Sequence, residues 1–423
     1  MVGLSLAGWG QAKGAAPSIW ANGRQPSLAP GSGPAPAGPV NQLQAGMVEG
    51  FAWDHYHPPL SGSLVNGTDL LLQPQMDYET AAPRFRLDLG YQPTWWNYQR
   101  QPSRNRWDQN LHLSAGYALN QQNWLRGIND DQLQRGGAGL GGFRPAIGQL
   151  NATTQMWLQS DRLEWLHRTG VDSWWQLYGL SSLRHYGNGL AAKTTALPRT
   201  QRWESGIQYS HEFSPAWRER LRVFWQRDEI GSGMRLGVGG LWASLGWQWS
   251  RRWQLEVYGG PESLGLAELA ATVSNGTALN GWRHSRQWQP TGGMALRYQG
   301  RWRLQLQLER QAGTAAGLLL VPAISTTGSL RWGRIWRRRW QWEWVAAGAQ
   351  SSGLALTGTS PRLFSLWTGP LLGWQLRRGL WLRAQWDQLW QRHRGTVLAG
   401  LSQDMTRLAL SLSYRLPAWG WGQ

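Results

Sequence analysis

From Leu43 onward, apolar and polar residues alternate with a period of two, the signature of strands whose two faces meet different surroundings. "RWRLQLQLER" sets Trp302, Leu304, Leu306 and Leu308 on one face and Arg303, Gln305, Gln307 and Glu309 on the other. "RFRLDLGYQP" sets Phe85, Leu87, Leu89 and Tyr91 against Arg84, Arg86, Asp88 and Gly90. "RLALSLSYRL" sets Leu408, Leu410, Leu412, Tyr414 and Leu416 against Ala409, Ser411, Ser413 and Arg415. Such runs last about 10–13 residues. That exceeds the usual soluble strand and suits a strand tilted across a bilayer.

A longer rhythm overlies this alternation. Tight polar connections are predicted near 81–83, 120–123, 168–172, 214–216, 250–252, 299–301, 337–339 and 377–379. After most of them the next strand opens with tryptophan: Trp124, Trp174, Trp217, Trp253, Trp302, Trp340 and Trp381. Gly-, Ser- and Asn-rich stretches between them, such as 127–150 and 259–285, read as long loops. The unit is strand, long loop, strand, short turn. A propeller would need four short strands per repeat and a Gly-His…Trp-Asp signature, and neither is present. The pattern predicts an all-β, transmembrane, up-and-down antiparallel barrel of about 18 strands, with 16 as the next choice.

The faces argue for a membrane. The apolar faces are too many and too long for one soluble core to hide. Tryptophan and tyrosine gather at strand ends, where amphipathic rings favour the lipid–water interface. The opposite faces carry Arg, Gln, Asp, Glu and Ser, which implies a lumen containing water. The rival is a soluble, Trp-rich glycan binder. The longest uncharged apolar run, "GLLLVPAI" (Gly317–Ile324), is far below the roughly 18 residues of a membrane helix.

Composition adds a question of charge. The chain has 423 residues, 33 Trp, no Cys and a formal net charge of +18. Lys13 and Lys193 are the only lysines, so the positive charge is almost all arginine. Alternation puts Arg86, Arg218, Arg220, Arg222, Arg303, Arg383, Arg407 and Arg415 on the lumen face, where fixed positive charge would concentrate anions. Glu256, Glu309, Glu343 and Asp387 would neutralise part of it, or the arginines would brace the wall as ion pairs. Glu219 falls on the lipid side by strict alternation and needs a bulge or a rim position. The seven strand-opening tryptophans are expected to form an interface belt. Arginine and aromatic residues lie on opposite faces, which argues against a nucleic-acid surface.

No catalytic set and no cofactor motif is recognised, and an enzyme is not expected. "DHYHPP" offers Asp54, His55 and His57 as a weak metal group, read as a polar loop. Residues 1–40 read as a degenerate or truncated signal segment and a flexible Pro/Gly/Ala-rich lead-in, 41–417 as the barrel, and 418–423 as a short tail.

The layout resembles Gram-negative outer-membrane β-barrels, and more narrowly the porin-like barrels associated with exopolysaccharide export. "RWESGIQYSHEFSPAWRERLRVFW" (Arg202–Trp225) and "RLALSLSYRLPAW" (Arg407–Trp419) carry the likeness. It implies the cell outer membrane, outer-membrane lipid and the barrel-insertion machinery as partners. The implied task is passage of anionic solutes or export of a polysaccharide. The alternative is a glycan-binding or plugged structural barrel without transport.

Overall fold

A computed structural model describes residues 40–56, 65–99, 105–135, 155–186, 199–231, 233–274, 277–314, 322–336, 339–354, 362–394 and 403–421. These form a single antiparallel sheet of twenty segments, β1 (Val40–Tyr56) to β20 (Trp419–Trp421), with no helix among the described residues. Segments β3 (Phe85–Tyr91) and β4 (Thr94–Tyr98) both lie between β2 (Val65–Ala81) and β5 (Arg106–Ala118), and together make one interrupted strand. β20 is a three-residue addition to the foot of β1, so the tail is partly structured. The wall therefore has 18 strands. It closes where β1 pairs with β19 (Gln403–Arg415), Gly46 opposite Arg415 and Tyr56 opposite Met405. Closure leaves the sheet no end strand, the condition for backbone polar groups to survive in lipid.

All the short turns foreseen from the sequence lie on one rim. In the turn between β5 and β6 (Asn123–Arg135), Asn120 Oδ1 accepts the backbone N–H groups of Gln122 and Asn123 at 2.9 Å each. Between β17 (Arg362–Arg377) and β18 (Leu380–Arg394), Gly379 takes φ +81°, a conformation that favours glycine. The segment 259–285 corrects the sequence reading. It is not a loop but most of the hairpin β12 (Trp253–Ser274) and β13 (Thr277–Gln299). Its glycines and Pro261 hide the alternation, and ladder partners supply what propensity does not. Likewise Gly127–Arg135 belongs to β6, and β7 (Gln155–Arg168) and β8 (Ser173–Tyr186) follow it in the wall.

Two Gly-Pro pairs loosen the wall. The ladder of β11 (Met234–Trp247) with β12 breaks between Gly240–Glu262 and Ala243–Gly259. The ladder of β17 with β18 breaks between Thr368–Gln388 and Leu371–Gln385. Pro261 and Pro370 have no N–H to donate there. A Cβ on Gly260 would stand 1.8 Å from the Leu241 carbonyl oxygen, and one on Gly369 2.0 Å from that of Trp386. Only glycine allows these approaches.

Above Gly292 the wall also parts from itself. β13 pairs with β14 (Trp302–Thr314) only from Gly292–Arg310 to Gln299–Arg303, although β12 follows β13 along its whole length. Freed from β13, the top of β14 turns inward with the start of β15 (Pro322–Trp336). Ala312 packs into a cluster with Tyr178, Phe224, Leu236, Val238, Trp242, Tyr258 and Leu264 from the facing wall, and Ile324 and Leu354 cover it.

The outer face is apolar. Leu221, Val223 and Trp225 on β10 (Trp217–Ile230), Leu241 and Leu245 on β11, and Leu408, Leu410 and Leu412 on β19 are exposed. An aromatic girdle follows the short-turn rim, with Trp217 on Trp247 at 5.1 Å and Trp340 on Trp374 at 5.2 Å between ring centroids. An apolar band with an aromatic edge on a closed barrel is the architecture of an outer-membrane protein.

Candidate functional site

The inner face is the candidate site, and it is not uniform. Towards the short turns it shows Gln305, Gln307, Gln341 and Gln375 between arginines. Towards the other rim it is filled. Leu236, Val238, Leu264 and Leu389 face inward and are almost fully buried. This corrects the expectation of a wholly polar lumen. Indole and phenol rings there cover apolar side chains, and the buried arginines between them are held by carboxylates.

Arg222 is the centre of the first such group, with its side chain 3% exposed. It ion-pairs with Glu204, and its Nε donates to Tyr178 Oη at 2.6 Å. Tyr178 in turn donates to Glu204 Oε1 at 3.0 Å. The guanidinium lies 4.6 Å from the Phe224 ring centroid and 5.3 Å from that of Trp242. Beside it, Arg202 donates to both carboxylate oxygens of Asp228, at 2.9 and 3.0 Å. Such fork geometry suits a buried pair. A second group joins both ends of the chain. Arg407 is 3.4 Å from Asp54 Oδ1. Its guanidinium stands 5.2 Å from the centroid of Trp96, and that of Arg106 stands 4.9 Å from it. Trp96 Nε1 donates to Asp108 Oδ2 at 2.8 Å.

All eight expected arginines stand on the inner face, because strand residues of the opposite phase, Phe85, Trp217, Leu221, Val223, Leu308, Trp386, Leu408 and Tyr414, are exposed outside. Arg86 pairs with Glu79 at 2.7 Å, Arg220 with Glu256 at 3.0 Å and Arg415 with Asp77 at 3.0 Å, and Arg218 pairs with Glu212. Arg383 lies 5.9 Å from the Trp381 ring centroid. Arg303 is exposed and has no ion-pair partner among the described residues. Glu343 holds Arg331 at 2.7 Å, and Asp387 accepts from Trp367 Nε1 at 3.0 Å. Glu309 is buried on the same inner face, while Glu219 faces outward close to the rim, beside the irregularity at Trp217/Arg218. Six of the eight inner guanidiniums are thus matched by carboxylates, so the arginine bias expected of the lumen is largely cancelled.

The tryptophan belt needs correction at three places. Trp217, Trp253, Trp302 and Trp340 are on the outer face, with Trp302 stacked on Trp332 at 5.5 Å. Trp124, Trp174 and Trp381 turn inward. Each is the second residue of its strand, so alternation gives the outer face to Leu125, Trp175 and Leu382. Arg218 accordingly stands 5.9 Å from the Trp174 centroid inside the barrel. The weak metal group is divided by the same rule. Asp54 faces in, His55 stacks outside on Trp53 at 5.7 Å, and His57 lies outside the described residues.

Sequence reasoning missed Tyr178, Glu204, Asp228 and the Trp96 sandwich. Arg202 and Glu204 share a face in "RWESG", so their alternation was available; their partners across strands were not.

No family model matches the sequence, and no curated protein is similar to it. Likeness exists to solved structures. The copper transporter OprC is 9% identical with a TM-score of 0.46, over 83% of this chain and only 63% of that one. Pseudomonas aeruginosa OccK2 (OpdF), solved in complex with glucuronate, is 11% identical with a TM-score of 0.42, over 89% and 97% of the two chains. Acinetobacter baumannii OccAB3 is 10% identical with a TM-score of 0.43, over 88% and 99%. At these values the likeness carries no argument about cargo.

Proposed function

We propose that the chain is an outer-membrane channel for small solutes that favours anions, and that the bias is set at its short-turn mouth. The supporting observation is the distribution of charge. Most lumen arginines are paired with carboxylates, whereas Arg251, Arg252, Arg301, Arg303, Arg339, Arg377 and Arg378 at the mouth are exposed and have no ion-pair partner among the described residues. Fixed positive charge around an opening raises the local anion concentration and speeds anion entry. The glutamines below the mouth offer donors and acceptors to a hydrated solute without adding charge. The reading involves translocation and no chemistry. The inward turn of β14 and the buried cluster around Leu236 favour a second reading, a structural barrel occluded towards its far rim. Among the described residues, no feature of the wall favours a polysaccharide over small solutes as cargo. Planar-bilayer recording in a salt gradient tests the proposal. Open channels with an anion-selective reversal potential are expected. Silent insertion would support the occluded barrel, and cation selectivity would contradict the charge argument.

A further inference from the structure

The short-turn rim is electrically lopsided. Four neighbouring turns, those joining β11 to β12, β13 to β14, β15 to β16 (Trp340–Gly353) and β17 to β18, carry Arg251, Arg252, Arg301, Arg339, Arg377 and Arg378. Every one of these six side chains is exposed, and the described residues of the turns include no acid. The remaining short turns hold Arg84 and Asp172 as their exposed charges, which cancel.

The same arc carries the densest aromatic girdle. Trp247 and Trp249 lie 4.9 Å apart, Trp302 and Trp332 5.5 Å, and Trp340 and Trp374 5.2 Å between centroids, all partly open to the outside. Indoles fix the depth of the lipid–water interface, so these guanidiniums stand at the level of headgroups. Guanidinium forks match phosphate oxygens. A partner in the aqueous compartment would meet the turns end-on and have no use for indoles on the lipid face.

We infer that this arc binds the phosphate headgroups of anionic phospholipids in the periplasmic leaflet, so that one side of the barrel is anchored more firmly than the other. The inference rests on the outer-membrane reading above, with the short turns on the periplasmic side. Lipid bound here would also screen the mouth, so anion preference should be weaker in anionic bilayers than in zwitterionic ones.

The test uses the full chain inserted into phosphatidylcholine vesicles containing a minority of phosphatidylglycerol. Spin-labelled versions of each lipid report which one is enriched at the protein boundary. The expected enrichment of phosphatidylglycerol is roughly tenfold or more, given about that gain for one to two basic residues near an anionic surface. It should fall towards parity in high salt, and in a variant carrying Gln at all six arginines. A variant with Arg251→Gln and Arg252→Gln alone should lose part of it, which guards against failure of the larger variant to fold. Arg84→Gln, on the other arc, should change nothing. Heat-modifiable migration on a gel shows whether each protein has inserted. Failure to insert would overturn the membrane reading itself. Inserted protein with no lipid preference, or a preference that survives loss of the six arginines, would overturn the inference alone. Salt-sensitive capture of an acidic periplasmic protein without lipid preference would also overturn it.

Discussion

Arginine plays two different parts in this barrel. Inside the wall, Arg222 is almost fully buried and touches Glu204, Tyr178, Phe224 and Trp242. On the rim, Arg377 and Arg378 are exposed and have no carboxylate among the described residues. The difference follows from solvent. A charge enclosed by rings and backbone needs a counter-charge, because desolvation costs more than a neighbouring dipole returns. A charge on a turn keeps its water and needs none. The net charge of +18 is therefore a poor guide to the lumen. Most of the inner arginines are spent on holding strands together, and the excess lies where solutes and lipids first meet the protein.

The largest expected effect breaks the buried pair. Arg222→Met leaves Glu204 without its partner and should destabilise the barrel by about 3–5 kcal/mol. Adding Glu204→Gln should recover most of that. Urea unfolding in lipid vesicles, followed by tryptophan fluorescence, checks both variants. No rescue by the second change would mean that Arg222 acts through packing on the rings instead.

A smaller effect asks whether a guanidinium can be placed on the wrong face. Leu306 faces lipid in mid-band and Gln307 faces the lumen. Leu306→Arg should cost about 2–4 kcal/mol, and Gln307→Arg should be tolerated while altering conductance. Equal losses would refute the assignment of faces.

Glu49 gives the reverse case. It is exposed on the outer face, between Met47 and Phe51 and opposite Leu72 and Leu412, and has no ion-pair partner among the described residues. Glu49→Leu should stabilise the inserted barrel by about 1–2 kcal/mol, as removal of a charge from hydrocarbon does. A loss of stability would show that Glu49 meets a partner in the membrane.

The smallest stability effect belongs to the rim. In phosphatidylcholine vesicles without anionic lipid, replacement of its arginines by Gln should change unfolding free energy by less than about 0.5 kcal/mol per site, as for exposed groups outside any network.

The barrel itself was legible because period-two alternation is local, and each strand states its own two faces. Turn positions were legible for the same reason, from polar clusters such as "LNQQN" and "RRG" (Leu119–Asn123 and Arg377–Gly379). The hairpin over 259–285 was not, since glycine and proline carry no face and its pairing comes from its own two arms and from β11. Nor was the phase of Trp124, Trp174 and Trp381, where the strand begins one residue earlier than the tryptophan suggests. Cross-strand partnership was the hardest part. Arg407 and Asp54 lie at opposite ends of the chain, and only closure of the barrel brings them together. The candidate site was therefore foreseen as a list of inward arginines, but not as a set of neutralised pairs.

The central claim is that the mouth, rather than the lumen, sets the charge preference. Reversal potentials in a zwitterionic planar bilayer test it most directly, comparing the native chain, the six-arginine mouth variant and a variant with Arg220→Gln and Glu256→Gln together. The account predicts that the mouth variant loses most of its anion preference while the neutralised lumen pair leaves it unchanged. Selectivity lost with the lumen pair and kept by the mouth variant would contradict it.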